Sequence, residues 1–394
     1  MVHFTVTISS MMRNLSLEYT LLLLVAAGCG DGANQSAVDD PGSIEGSGGA
    51  KGSEGNESED ESEGNQSEDE DESGGPKFDV GSETSGETGD GGTDDDCEVP
   101  EHVACDGSGD VANALGLNCP GELQFTVTQG PAQEGWGTAS SFGTTNAFDP
   151  REGSEYVTIG SGHLSGLDPL GDCVGSDIPG AEVGHALPAP IVLMDIASGS
   201  CSDDASLIGT GDCSNTLQEE FSQTTAGAFD YTEIRIEATV PAGATSFSFD
   251  FAYLSREYPS FWESRYNDIF FGWLESETWT GNISFDAIGA AISVNAGFMN
   301  YLDADTGNKS STGLSHPDCP TGTNCSAPEL HETCLEGHGA TAWLTTEAEV
   351  VPGENMVLVI AVMDLGDPYL DSYALLDNFA WGCTEGPPRT APAG

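Results

Sequence analysis

The stretch "TSFSFDFAYL", Thr245–Leu254, alternates large and small side chains with a period of two. Phe247, Phe249, Phe251 and Tyr253 fall on one face, and Ser248, Asp250 and Ala252 on the other. That pattern predicts a β-strand with its aromatic face in a core. Similar short runs surround it: "ELQFTVTQG" (122–130), "EYVTIGSG" (155–162), "APIVLMDIA" (189–197), "YTEIRIEATV" (231–240) and "NDIFFGWL" (267–274). "AISVNAGF" (291–298), "TAWLTTEAEVV" (341–351), "NMVLVIAVMDL" (355–365) and "YALLDNFAWG" (373–382) follow. They are rich in β-branched and aromatic residues and separated by Gly, Pro, Asp and Asn clusters. "VPAG" (240–243) and "VPGEN" (351–355) put Pro then Gly after a strand, where Pro presets φ and Gly accepts a positive one. No stretch beyond residue 97 reads as a long amphipathic helix. The expected fold is all-β: an antiparallel sandwich of jelly-roll type.

Charge narrows the partners. Lys and Arg number 9 against 66 Asp and Glu, for a formal net charge of -57. Such a field repels nucleic acid and anionic lipid and attracts divalent cations, and no basic patch exists to follow a phosphate backbone. Residues 30–96 hold much of the acid. "EGNESEDESEGNQSEDEDES" (54–73) is a near-duplicated acidic unit set in Gly and Ser, too poor in apolar side chains to offset the entropy of ordering. It reads as a disordered stalk.

The amino terminus points to export. Arg13, the apolar run Leu21–Ala27 and the small residues before Cys29 form a signal-peptide pattern too short to span a bilayer. "VAAGC" (25–29) resembles the lipobox of bacterial lipoproteins, which makes Cys29 the lipidation site and the membrane a partner through its acyl chains. The alternative is an ordinary secretory peptide and a secreted or periplasmic product. Besides Cys29 there are ten cysteines: Cys97, Cys105, Cys119, Cys173, Cys201, Cys213, Cys319, Cys325, Cys334 and Cys383. An even number in an oxidising compartment predicts disulfides, in a pairing the sequence leaves open. The expected organisation is a signal peptide (1–28), lipidated Cys29 and stalk (29–96), a disulfide-stapled β domain (97–384) and a disordered tail (385–394).

Two acidic constellations stand out. Glu257, Tyr258, Trp262, Asn267 and Asp268 crowd the loop after the Phe-rich strand. Two carboxylates flanking a sugar would make a glycosidase, with Asp250 an alternative partner for Glu257, whereas Asp268 directly before an apolar run suits a strand start fixed by its own side chain. The half-way segment "PSFWESR" (259–265) offers aromatics to a ligand. In "DLGDPYLDSYALLDNFAWG" (364–382), Asp364, Asp367, Asp371 and Asp377 recur with the hard oxygen ligands calcium prefers, though not at EF-hand spacing. "HETCLEGHGATAW" (331–343) lacks the second histidine of a zinc-protease helix, and no "GxSxG" elbow or phosphate-binding loop is present.

With these residues in hand, "DYTEIRIEATVPAGATSFSFDFAYLSREYPSFWESRYNDIFFGWL" (230–274) resembles the core of the choice-of-anchor L domain of bacterial surface and secreted proteins. The shared elements are Pro241 and Gly243, then Phe247, Phe249 and Phe251, then Ser255, Glu257 and Tyr258, then Asn267, Asp268 and Phe270. "ATAWLTTEAEVVPGENMVLVIAVMDLGDPYLDSYALLDNFAW" (340–381) resembles the end of the same domain. The resemblance is strong over 225–383. Together with the lipobox, the stalk resembles those of myxobacterial lipoproteins. The family's attachment signals are usually C-terminal, and "TEGPPRTAPAG" shows none, so the resemblance places the anchor at Cys29. It implies a β-rich extracellular module and carries no catalytic activity with it; taken with the lipobox and stalk, the expected product is a non-catalytic module displayed at the cell surface or outer membrane. Such a module would bind an extracellular glycan or protein, with calcium as a structural ion. A carbohydrate-active enzyme using Glu257 and Asp268, and a passive envelope component, are the competing expectations.

Overall fold

The computed structural model describes residues 97–394 except 132, 168–172, 174–180, 196–198, 305–313, 321–322 and 324. The expected signal peptide, Cys29 and stalk lie outside the described residues. Fourteen strands form among those described. In chain order they are β1 (Thr126–Gly130), β2 (Trp136–Ala139), β3 (Tyr156–Gly160), β4 (Ala228–Thr239), β5 (Ser246–Ser255), β6 (Ile269–Glu275) and β7 (Thr280–Asn282). Then come β8 (Ile292–Ser293), β9 (Met299–Leu302), β10 (Gly339–Thr341), β11 (Leu344–Glu349), β12 (Asn355–Leu365), β13 (Ser372–Gly382) and β14 (Arg389–Pro392).

They pair antiparallel in two sheets. One runs β1-β4-β12-β6-β7 with β8 beside β6; the other runs β14-β11-β5-β13-β3-β2 with β10 beside β5 and β9 beside β10. The Phe-rich strand, β5, is central in the second sheet, between β11 and β13. Its Phe247, Phe249 and Phe251 face Ile234 and Ile236 of β4, Phe270 and Leu274 of β6, and Leu358 and Ile360 of β12 in one continuous core. Phe251 stacks on Phe270 across the two sheets with ring centroids 4.3 Å apart. Burying each such side chain contributes roughly 1.5–3 kcal/mol.

β12 reads as an unbroken apolar run because both of its faces are covered. Leu358, Ile360 and Val362 face the inter-sheet core, while Val359, Ala361 and Met363 pack under Ile191, Leu217 and Phe221. The outer face of the second sheet is covered in turn by Phe142, Phe148, Leu330 and Leu335. The expected disulfides pair as Cys97–Cys383, Cys105–Cys119, Cys173–Cys334, Cys201–Cys213 and Cys319–Cys325. The first joins the two ends of the β domain.

The two Pro-Gly turns use glycine differently. Gly353 adopts φ +84°, as expected. Gly243 instead makes room: its carbonyl accepts from the Glu98 N–H at 2.9 Å, and a Cβ there would lie 2.0 Å from the Glu98 carbonyl oxygen.

Three expectations change. Residues 191–195 are not a strand; Pro188 and Pro190 remove two ladder donors, and Ile191 instead packs onto the outside of the first sheet. The run 291–298 yields only the two-residue β8, since Asn295 turns back to donate its N–H to the Ser293 hydroxyl. In the expected tail, Arg389–Pro392 is β14, paired with β11 and held by Arg389 to Glu347 at 2.6 Å. Helices are limited to short pieces such as Val111–Ala114 and Gln218–Ser222, and no helix among the described residues is long and apolar enough to cross a membrane.

Candidate functional site: a buried acid cluster

The inner face of β5 turns polar at its far end. After Phe251 the inward positions are Tyr253 and Ser255, and Ser255 lies opposite Ser372 at the start of β13. Asp268 stands just before β6, Asp364 near the end of β12, and Asp230 and Thr232 near the start of β4. Ser161, Glu257 and Asp371 complete the group, and none of these side chains is more than 2% exposed. The sandwich core is therefore aromatic and aliphatic along most of its length and carboxylic at one end.

A chain of hydroxyls ties that end together. The Tyr253 hydroxyl lies 2.9 Å from the Asp268 carbonyl oxygen and 3.1 Å from the Ser372 Oγ. Ser372 Oγ in turn sits 2.7 Å from Asp268 Oδ2 and 2.8 Å from Ser255 Oγ. The Asp268 N–H donates to Glu257 Oε2 at 2.7 Å, and the Glu257 N–H to Ser255 Oγ at 3.1 Å. Ser161 accepts from the Ser372 N–H at 2.9 Å. The "SREY", "ND" and "DS" elements of the sequence are thus one spatial corner that joins β3, β5, β6 and β13. Removing the Tyr253 hydroxyl leaves buried acceptors unpaired. Tyr253→Phe should therefore cost about 1–3 kcal/mol in urea unfolding, and a cost near zero would count against the network.

Burial dominates the electrostatics. It pushes the carboxyls of Glu257, Asp268 and Asp364 well above the usual carboxylate range. The charge of Asp268 adds to the effect on Glu257, and the charges of Asp268 and Asp371 add to it on Asp364. For Asp268 the Ser372 hydrogen bond opposes it without cancelling it. Carboxyls in this setting hold protons or face a cation.

The four aspartates grouped as one calcium loop are divided. Asp364 and Asp371 belong to the cluster, since the charge of Asp371 acts on the Asp364 carboxyl across the turn between β12 and β13. Asp377 lies six residues along β13, a distance of about 20 Å at strand rise. There it accepts from the N–H groups of Arg151 at 2.6 Å, Glu152 at 3.2 Å and Asn378 at 2.7 Å, and burial raises it to about 7. Asp367 is half-buried and accepts from the Tyr369 N–H at 3.1 Å. Asp250, the other carboxylate weighed for sugar chemistry, is bonded by Arg151 Nε at 3.1 Å, Thr345 Oγ1 and Asn378 Nδ2.

Of the loop residues, Tyr258 is core, with its ring against His316, and Asn267 is buried beside Asp268. Trp262 is half-buried, 5.1 Å from the His316 ring, and Phe261 packs edge-on to Tyr266, so the aromatics of 259–265 are not free in solvent. Sequence reasoning missed Asp230, Thr232 and Ser161. Their signal was present in "FDYTEIRI", where Asp230 and Thr232 share the period-two face of Ile234 and Ile236.

Histidines are placed apart. His102 bridges Glu122 at 2.7 Å and Glu152 at 2.8 Å; burial disfavours its charge, but these carboxylates raise its pKa on balance. Cys119 next to it is disulfide-bonded and offers no thiolate. His331 pairs with Asp303 at 3.1 Å, while His338 Nδ1 lies 2.8 Å from the Tyr258 carbonyl oxygen. On the outer face of the second sheet is a cavity of about 420 Å³ walled by Phe142, Leu164, Leu167 and Leu375. Into this region project the Tyr156 and Thr158 hydroxyls, buried with no hydrogen-bond partner.

No curated protein and no solved structure matches the chain. Residues 196–380, a little under half of the chain, match the family model of the Choice-of-anchor L domain, which suggests a surface-related, non-catalytic module in an exported protein.

Proposed function

We propose that this protein is a lipoprotein tethered through Cys29 and its acidic stalk, displaying a non-catalytic β module that binds an extracellular glycan or protein in adhesion. The observation that carries the reading is the burial of the signature acids. A glycosidase needs two carboxyls flanking an open cleft, whereas Glu257 and Asp268 are sealed between two sheets and bonded to the strand ends they fix. The family match supports surface display, and the lipobox-like "VAAGC" supports attachment by acyl chains, two or more of which amount to a stable anchor.

The ligand site favoured by the geometry is the cavity beside Tyr156 and Thr158. Apolar walls with a few convergent hydroxyls are the usual make-up of a small-molecule or sugar pocket. A glycan array tests it: binding should appear with the native chain and fall at least about tenfold in Leu164→Trp, which fills the cavity. Binding that survives the plug would move the site elsewhere. Membrane attachment has a separate test. Cys29→Ser should transfer the protein from the membrane to the soluble fraction, and unchanged fractionation would remove the acyl anchor.

A further inference from the structure

At the polar end of the core, acids outnumber bases. Glu257, Asp268, Asp364 and Asp371 meet there, Asp230 approaches from β4, and the adjoining basic side chain is Arg256, whose Nη2 donates to the Gly166 carbonyl at 2.6 Å. Further titratable neighbours are Asp367, whose charge acts on Glu257, Tyr253 of β5, and Tyr373 of β13, which donates to Asp371 Oδ2 at 3.0 Å. Asp364 is fully buried, yet neither of its oxygens has a hydrogen-bond partner of good geometry; its nearest polar neighbours are Ser161 and Asp268. Independently of the acids, the Thr232 hydroxyl on the same inner face is also fully buried and unpartnered. Asp364 on β12 and Thr232 on β4 thus both carry buried oxygens without a partner of good geometry on the inner face.

We propose that Asp364, with Asp268, Asp371 and Glu257, forms a buried divalent-cation site of the hard-oxygen kind that takes calcium. Oxygen is the only ligand type in the cluster. Calcium takes about six to eight such ligands in flexible geometry, hydroxyls and carbonyls among them. The carboxyl oxygens of the cluster stand wider apart than a bound ion would hold them: among the described residues, only His102, Cys119 and Glu122 bring three His, Cys, Asp or Glu ligand atoms within 4.8 Å of one another. Capture therefore pulls the acids inward around the ion, with the Thr232 and Ser161 hydroxyls close by. The inference concerns the core alone and stands apart from the surface-display reading.

The test uses the whole chain, stripped with EDTA, melted with and without about 2 mM calcium. The expected result is a rise of about 2–5 °C in the midpoint with calcium. Asp364→Asn should lose the rise. Calcium calorimetry on the native chain gives a reading that needs no variant. It should show a saturable site above the weak background of the acidic segment. An unchanged midpoint, the absence of a saturable phase, or an equal rise in Asp364→Asn would each overturn the proposal, the last by assigning the effect to acids elsewhere.

Discussion

Truncating Phe251 to Ala should lower stability by about 3–5 kcal/mol, read as an earlier midpoint in urea. Phe251 is fully buried, stacked on Phe270, and carried by the central strand of the second sheet. The hole it leaves cannot close easily. β5 is fixed in register by β11 and β13, and the facing sheet by β12 between β4 and β6. The substitution therefore loses both the transfer energy of the ring and the packing around a residual cavity. Phe261→Ala, at a half-buried ring in the loop that follows, is the control and should cost under about 1.5 kcal/mol. A cost at Phe251 below about 1 kcal/mol would mean that the two sheets do not meet across that pair.

The strands that build the core were legible because each carries a strict period of two or an unbroken apolar run. β4, β5, β6, β12 and β13 all formed where alternation placed them. Weakly patterned pieces were not legible. β2, β7, β9, β10 and β14 are five residues or shorter and are defined by the strand they pair with, not by their own composition. β14 in particular looks like a tail, since Pro387 and Pro388 precede it and Pro392 is its last residue, yet an edge strand tolerates proline on its open side.

The candidate site was half legible. Glu257, Asp268, Asp364 and Asp371 were all singled out, but in two separate constellations, because sequence separation hides that β5, β6, β12 and β13 end at the same corner. Asp377 was grouped with Asp364 and Asp371 for the opposite reason. It is close to them in sequence but far along an extended strand. Asp250 and Asp377 make a second, distinct polar knot with Arg151 and Asn378 on the other face of the sheet. The ten cysteines were read as disulfides, but their pairing follows from the fold: Cys97 and Cys383 are 286 residues apart and meet because Cys97 lies against Thr245, just before β5, and Gly382, at the end of the neighbouring β13.

A pH dependence with an unusual sign is the second large effect. A buried carboxyl whose folded pKa is raised binds its proton more tightly in the native state than in the unfolded chain. Its stabilising contribution is complete below the unfolded value near 4 and is lost as pH rises through the folded value. Glu220 and Asp377 are each raised to about 7, and Glu257, Asp268 and Asp364 well beyond the usual range, all chiefly by burial. In the absence of divalent cations, each such group removes about 1.4 kcal/mol per pH unit between its unfolded and folded values. The protein should therefore be more stable in mild acid than in mild base, by several kcal/mol.

The most direct measurement of the buried acid cluster is urea unfolding in EDTA across about pH 5 to 8, comparing the native chain with Asp364→Asn. The account predicts a steep loss of stability with rising pH in the native chain. In Asp364→Asn the slope should be shallower, since one raised carboxyl no longer titrates. Equal slopes in the two proteins would contradict it, and would mean that Asp364 is ionised in a solvated site instead of sealed between the sheets.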